Sequence, residues 1–168
     1  MVRECVASLL LLPAASCSLV LDFSDNAIPK DAASDAPYTA AECEYKEPND
    51  SPATAASIAP SDTGPAAICA GTVEDHDYYK LTVPAGTTKV ELRISYTFRT
   101  GGDIDLRLYD NAGTTELTQS SNFGNEERIV CPGTSPACPM LAADDYVFEV
   151  FPVPGSVNSY TLAIALTP

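Results

Sequence analysis

Histidine is almost missing from this chain of 168 residues: His76 is the only one, and it sits between Asp75 and Asp77. A serine or cysteine nucleophile in need of an imidazole base would have to use a side chain placed in an acidic turn. The sequence contains no Gly-x-Ser-x-Gly elbow, no His-Glu-x-x-His and no glycine-rich phosphate loop. Acidic residues are plentiful enough to furnish a carboxylate pair of the glycosidase kind. A chain this small, with no cleft-building insertions, is nonetheless poorly equipped to bury a substrate, and the reading is a protein without catalytic activity.

Positive charge is scarce too. Nine Lys and Arg stand against 23 Asp and Glu, for a net charge of −14. An excess of this sign and size argues against nucleic acid and anionic membrane surfaces as partners, and suits a solvated extracellular surface or the binding of cations. Long apolar runs are also lacking. The run from Val6 to Pro13 falls well short of the roughly 20 residues that cross a bilayer. It lies between Arg3 and the small residues Ala14, Ala15 and Ser16, directly ahead of Cys17, which is the pattern of a signal peptide ending in a lipobox. Residues 1–16 are therefore expected to be a signal peptide, and Cys17 the lipidated first residue of an exported lipoprotein, with a plain secretory signal as the alternative. Loss of Arg3 and Glu4 with that segment leaves the net charge unchanged.

Residues 17–42 are rich in Ala, Asp, Ser and Pro, and Pro29 and Pro37 interrupt any helical period. They read as a flexible linker that gives an anchored domain reach above the membrane, although Leu19, Val20, Leu21 and Phe23 could pack on it. The remainder, 43–168, is expected to form one domain. With Cys5 removed and Cys17 acylated, an even set remains: Cys43, Cys69, Cys131 and Cys138. No Cys-x-x-Cys spacing supports zinc, so two disulfides are expected, in keeping with export. Of the three pairings open to four cysteines, Cys43 with Cys69 and Cys131 with Cys138 is the expected one. The latter pair would close a Pro-Gly-Thr-Ser-Pro-Ala turn.

Beyond Cys69 the apolar period is two. Val90, Leu92, Ile94, Tyr96 and Phe98 alternate with Lys89, Glu91, Arg93, Ser95 and Thr97, the pattern of a half-buried strand. Ile104 to Leu108, Tyr146 to Val150 and Tyr160 to Leu166 repeat it, and shorter candidates lie at 67–73, 77–83, 115–120 and 127–131. Turn residues such as Pro84-Ala85-Gly86, Gly101-Gly102-Asp103 and Pro154-Gly155-Ser156 separate them. The fold class is therefore all-β: an antiparallel, jelly-roll-like β-sandwich of about eight strands, closing over Val90, Ile94, Leu106, Phe148 and Leu162.

Several landmarks recur in a fixed order. Glu47-Pro48-Asn49-Asp50-Ser51 comes first, then Gly71 ahead of Asp75-His76-Asp77-Tyr78-Tyr79, then Leu81 to Gly86. Asp103 to Asp110 with Gly113, Ala143 to Val150 and Tyr160-Thr161-Leu162 follow. In this order the chain resembles the bacterial pre-peptidase C-terminal (PPC) domain family, the β-sandwich modules appended to secreted proteases and collagenases. It departs from the pattern at Ala143-Asp144-Asp145-Tyr146, where the family has a Gly-Thr-Tyr turn, and in the cysteine-bounded insert 131–138. The resemblance implies calcium held by Glu47, Asn49, Asp50, Asp75 and Asp77, since collagen-binding members hold it between these two segments. A hard cation of this kind needs several converging oxygens. Those members place a further acidic residue where this chain has Tyr45, with Glu44 the nearest substitute. The alternative for both acidic turns is that their side chains only cap and bend the backbone.

The resemblance also implies a non-catalytic binding module, acting as a monomer, that recognises an extracellular protein or polysaccharide or assists a secreted peptidase. The outward aromatics Tyr78 or Tyr79, Tyr109 and Phe151 are its candidate contacts. A structural or assembly component of the cell envelope without a specific ligand is the other reading. Its expected location is the cell envelope, as an outer-membrane lipoprotein facing periplasm or surface, with the membrane as partner through the anchor.

Overall fold

The computed structural model describes residues 37–71 and 73–168. The expected signal segment 1–16, Cys17 and the linker up to residue 36 lie outside the described residues. Ahead of residue 43 the described chain is held by local contacts. Thr39 caps a single helical turn, α1 (Ala40–Cys43), in a reciprocal box with Glu42, and the Tyr38 hydroxyl accepts a hydrogen bond from the Ala70 amide at 2.9 Å.

The expected sandwich is present. Its strands are β1 (Ala56–Ile58), β2 (Pro65–Ile68), β3 (Asp77–Val83), β4 (Lys89–Tyr96), β5 (Ile104–Tyr109) and β6 (Glu116–Ser120). They continue with β7 (Glu126–Cys131), the short hairpin β8 (Gly133–Thr134) and β9 (Ala137–Cys138), β10 (Asp144–Pro152) and β11 (Asn158–Thr167). One sheet has the order β1-β3-β10-β5-β6 and the other β2-β11-β4-β7. All pairings are antiparallel except β1 with β3. The strand expected at 67–73 is shifted to 65–68, because the chain leaves the sheet at Cys69 to enter the acidic loop.

Alternation explains why two sheets are needed. In β4, Val90, Leu92, Ile94 and Tyr96 turn inward and are buried while their neighbours are partly or fully exposed. The inner faces of β3, β5, β10 and β11 supply Leu81, Leu106, Leu108, Phe148, Val150 and Leu162 to the same core. Removing a side chain of that size from water is worth about 1.5–3 kcal/mol each, and no single sheet could hide its own inner face. Disulfides Cys43–Cys69 and Cys131–Cys138 form as expected. By loop-closure entropy they contribute about 3.5 and 2.5 kcal/mol.

The registers place the starts of β3, β5, β7 and β11 at one end of the sandwich, together with the ends of β2, β4, β6 and β10. The loops 69–76, 97–103, 121–125 and 153–157 therefore share one rim. The segment around Asn49 joins it, its carbonyl accepting from the Tyr78 amide at 2.9 Å. After Asn49 the chain makes a 3-10 turn, Pro52–Thr54, that reaches the β5–β6 turn. Gly113 has φ +67° there, and a Cβ on it would lie 2.5 Å from that of Pro52, so both conformation and space demand glycine.

The alternation makes a direct expectation for stability. Leu162→Ala, at a position with no exposed surface, should cost about 2–5 kcal/mol in denaturant unfolding. Its exposed neighbour Thr161→Ala should cost no more than about 0.5 kcal/mol.

Candidate functional site

Three carboxylates meet where the Glu47–Asp50 segment crosses the start of β3. Oxygens of Glu47, Asp75 and Asp77 all lie within 4.8 Å of one another. Asp77 is on the inward face of β3 and only 2 % exposed; Glu47 and Asp75 are half-buried. Each is held by a different part of the fold. Asp77 accepts a short hydrogen bond from the Tyr160 hydroxyl, which rises from β11 in the opposite sheet. Asp75 accepts from the Cys69 amide at 2.6 Å, at the foot of the Cys43–Cys69 bridge. Glu47 accepts from the Asn49 amide at 2.8 Å, turning the chain back on itself.

The five expected ligands thus divide. Glu47, Asp75 and Asp77 converge. Asn49, fully buried, is best oriented with its side-chain nitrogen toward Glu47, 2.7 and 2.9 Å from the two carboxylate oxygens, so in this arrangement it positions Glu47. Asp50 is exposed and shares a depression of about 410 Å³ with Glu74 and Asp75, through which solvent reaches the cluster. Tyr45, in place of a further acid, packs against the core.

Like charges at this spacing oppose one another. Burial, reinforced by Asp75 and Glu47, pushes the Asp77 carboxyl well above its usual range, against the Tyr160 bond. Burial and the neighbouring Asp50 also raise Asp75, and burial, Asp50 and Asp75 raise Glu47. A divalent cation would relieve that repulsion. Three carboxylates offer up to six oxygens, in the range a calcium shell takes when water completes it. The residues present fit such an ion.

A second constellation lies on the outer face of the five-stranded sheet, and only half of it was expected. Tyr78, Tyr109 and Phe151 are partly exposed there, whereas Tyr79, the alternative to Tyr78, is in the core with its ring 5.2 Å from that of Phe148. At the centre is Glu149, 1 % exposed, which the pattern of its strand does not single out. Its Oε1 accepts from Tyr78 at 2.8 Å and faces His76 Nδ1 at 2.6 Å, and its Oε2 accepts from Tyr109 at 2.7 Å and Arg107 at 3.3 Å. Burial alone would raise this carboxyl, but bonds from His76, Tyr109 and Tyr78 and the charge of Arg107 hold it below its ordinary value. The same contact with Glu149 raises His76, and burial together with Glu149 keeps Tyr78 protonated as a donor. Arg107 in turn lies 4.1 Å over the Phe151 ring. The signal in the sequence is the coincidence of Tyr78, Arg107 and Tyr109 at outward parity on strands that flank β10.

Asp105, on β5, also has outward parity, yet it is only 7 % exposed; burial and the neighbouring Asp103 and Glu127 raise it to about 6. Asp110 instead caps its turn, accepting from the amides of Thr114 and Thr115.

These features sit on a sandwich of two packed β-sheets. Among solved structures the chain is similar to the pre-peptidase C-terminal domain of collagenase from Bacillus anthracis, with 13 % identity and a TM-score of 0.50, over 65 % of this chain and 92 % of that one. At that identity the likeness shows the fold alone. No protein-family model matches the chain, and no curated protein does.

The raised carboxyls predict an inverted pH dependence. A carboxyl whose folded pKa lies above its unfolded one stabilises below the unfolded value, here the ordinary 3.8 for Asp75, and that stability is lost as pH rises through the folded value. In chelating buffer, Asp75→Asn should therefore melt a few degrees above the wild type at neutral pH and lose that advantage toward pH 4 by scanning calorimetry, since the amide oxygen still accepts from Cys69.

Proposed function

We propose that the protein is a non-catalytic, exported lipoprotein anchored through Cys17, whose PPC-like sandwich is stabilised by calcium and binds an extracellular protein or polysaccharide on the outer face of its five-stranded sheet. The observation that carries this reading is Glu149: one buried carboxylate fixes two tyrosine rings, an imidazole and a guanidinium on a single face. Aromatic rings locked in place present contact area without the entropic cost of ordering them on binding. The two disulfides accord with an exported protein.

Calcium has its own support in the three converging carboxylates of Glu47, Asp75 and Asp77. Extracellular sites of this kind bind at roughly 10⁻⁴ to 10⁻³ M, so millimolar calcium is the relevant test. Asn49 orients Glu47, while Asp50, exposed beside Asp75, would add an outer oxygen or hold water on the ion. The membrane is reached through the acylated cysteine, and the outer membrane, on its periplasmic or external face, is the site that suits such a signal.

Two measurements check the proposal. Millimolar calcium should raise the melting midpoint over chelated protein, increasingly so from mildly acid to neutral pH, and Asp77→Asn should remove the shift; an unchanged midpoint rejects the cation. For the binding face, the exported chain carrying Cys17→Ala should be retained on collagen fibrils or on an insoluble cell-wall polysaccharide. Tyr109→Ala and Phe151→Ala should each weaken retention by about tenfold, the scale of losing a well-packed aromatic contact. Retention on neither matrix, with folding intact, favours a structural component of the envelope.

A further inference from the structure

The rim shared by the loops 69–76, 97–103, 121–125 and 153–157 gathers most of the large apolar side chains that the sandwich leaves uncovered. Five such side chains are exposed among the described residues, and four are on these loops: Val73, Phe98, Phe123 and Val153. The fifth, Met140, shortly precedes β10 and so lies at the opposite end. Phe123 is 91 % exposed and Phe98 43 %, and the two rings meet edge to face at 6.5 Å.

Hydrogen bonds hold these loops against one another. The Val153 and Val157 amides donate to the carbonyls of Asp103 and Gly101, both at 3.0 Å, and the Phe98 amide donates to Asn125 Oδ1 at 2.7 Å. Glu127 fixes the start of the 121–125 loop. It has no exposed surface and accepts from Ser120 Oγ, from the Asn122 amide at 2.9 Å and from Asn122 Nδ2 at 3.3 Å, while burial raises its carboxyl against those donors. The rings are thus presented on tied loops, and apolar area held in water costs free energy unless something covers it.

The form of the surface indicates what covers it. Phe98, Phe123 and Val153 project from separate loops and line neither nearby recess: a polar groove of about 420 Å³ beside β6 and β7 is walled by Gln119, Asn122 and Arg128 among others, and a depression of about 260 Å³ beside Cys69 by other residues of 69–75 and 152–157. A small ligand needs a recess, whereas projecting apolar tips suit a surface that yields around them, as the interfacial layer of a bilayer does. Charge agrees with this. The loops Ser-Asn-Phe-Gly-Asn (121–125) and Val-Pro-Gly-Ser-Val (153–157) hold no ionisable side chain in a chain of net charge −14, and Arg99 of the third loop is engaged with Asn158 at 2.6 Å. The Val73 loop, with Glu74 and Asp75, is the least suited of the four. Anionic headgroups would be repelled by such a chain; uncharged ones would not.

The chain also enters the described fold beside this rim. The Tyr38 hydroxyl accepts from the Ala70 amide at 2.9 Å, and Cys43 is bridged to Cys69. With Cys17 anchored as proposed above, about 20 residues, at most about 70 Å when fully extended, separate the lipid from the rim. Tethering at that range makes a contact of a few side chains effective where a free domain would hold it only weakly.

We propose that this rim, led by Phe98, Phe123 and Val153, rests in the interfacial layer of an uncharged bilayer surface, so that the domain is held by its loops as well as by its anchor. The inference rests on the anchored reading for its reach alone, and the contact is tested without the anchor. The chain has no tryptophan, so Phe123→Trp in the full chain carrying Cys17→Ala gives a single probe, with Met140→Trp at the far rim as its control. With phosphatidylcholine vesicles at millimolar lipid, the Phe123→Trp emission should shift to the blue and be quenched by brominated acyl chains several-fold more than that of Met140→Trp. Adding Phe98→Ser should lower vesicle partitioning by about tenfold, and admixed phosphatidylglycerol should weaken it further. Equal quenching of the two probes, no quenching of either, or binding only when phosphatidylglycerol is present overturns the proposal. A blue shift that appears without lipid and grows with protein concentration overturns it as well, by making a second copy the occupant. Phe98→Ser should leave retention on collagen or polysaccharide unchanged, so failure of the rim and failure of the sheet face are read separately.

Discussion

The hydroxyl of Tyr160 joins everything else. It rises from β11 in one sheet, donates to Asp77 at the start of β3 in the other, and lies 2.7 Å from the hydroxyl of Tyr79. Two layers that each bury an apolar face would close without it, but the closed interior would then hold the Asp77 carboxylate with no donor from the opposite sheet. An unpaired charge at 2 % exposure is among the most expensive things a small domain can contain. The tyrosine allows the acid to sit at the boundary between core and rim, where Glu47 and Asp75 are brought against it by their own bonds from the Asn49 and Cys69 amides. The carboxylate cluster is thus an extension of the core, and its electrostatics are tied to how tightly the sheets close.

The same physics recurs twice away from that cluster. Glu149 and Glu127 are both buried acids, but their surroundings differ in kind. Around Glu149 two phenols, an imidazole and a guanidinium supply donors and positive charge, and its carboxyl stays low. Around Glu127 the donors are a hydroxyl and amides, and burial prevails. In each case an acid that costs free energy to bury is retained where it fixes side chains at the surface: aromatic rings over one sheet, a loop and a groove beside the other. Structural acids of a generic core would be expected to face one another or a base in the interior; these two face outward-going elements.

Fold was legible in the sequence wherever the period-two pattern ran long. Lys89 to Tyr96 announced β4, and Tyr160 to Leu166 announced β11, because each buried side chain is read from its own position. β1 was missed, since three residues, Ala56–Ile58, are too few to show a period and are extended only by pairing with β3. The β8–β9 hairpin likewise exists because the Cys131–Cys138 bridge closes it. Glu47, Asp75 and Asp77 were legible as a cluster through resemblance. Asn49 was legible as part of that set, but not the orientation of its amide, which depends on where the Glu47 carboxylate comes to rest. Glu149 was not legible at all. Its partners come from β3 and β5 on either side, and only the register that sets Glu149 opposite Tyr78 and Arg107 makes it central.

Register also explains why the surface features gather at one end. An antiparallel sandwich returns every second connection to the same rim, so a chain that crosses between sheets at nearly every connection places four loops there. Asp75 on one of those loops joins Glu47 of the neighbouring segment and Asp77 of β3 in one cluster, and aromatic side chains on two others, Phe98 and Phe123, become one pair. Neither grouping requires a motif contiguous in sequence. Each loop can therefore change its chemistry independently while the strands that aim it stay as they are, and that independence lets one small sandwich carry a carboxylate cluster, an aromatic face and a polar groove without any of them compromising the core.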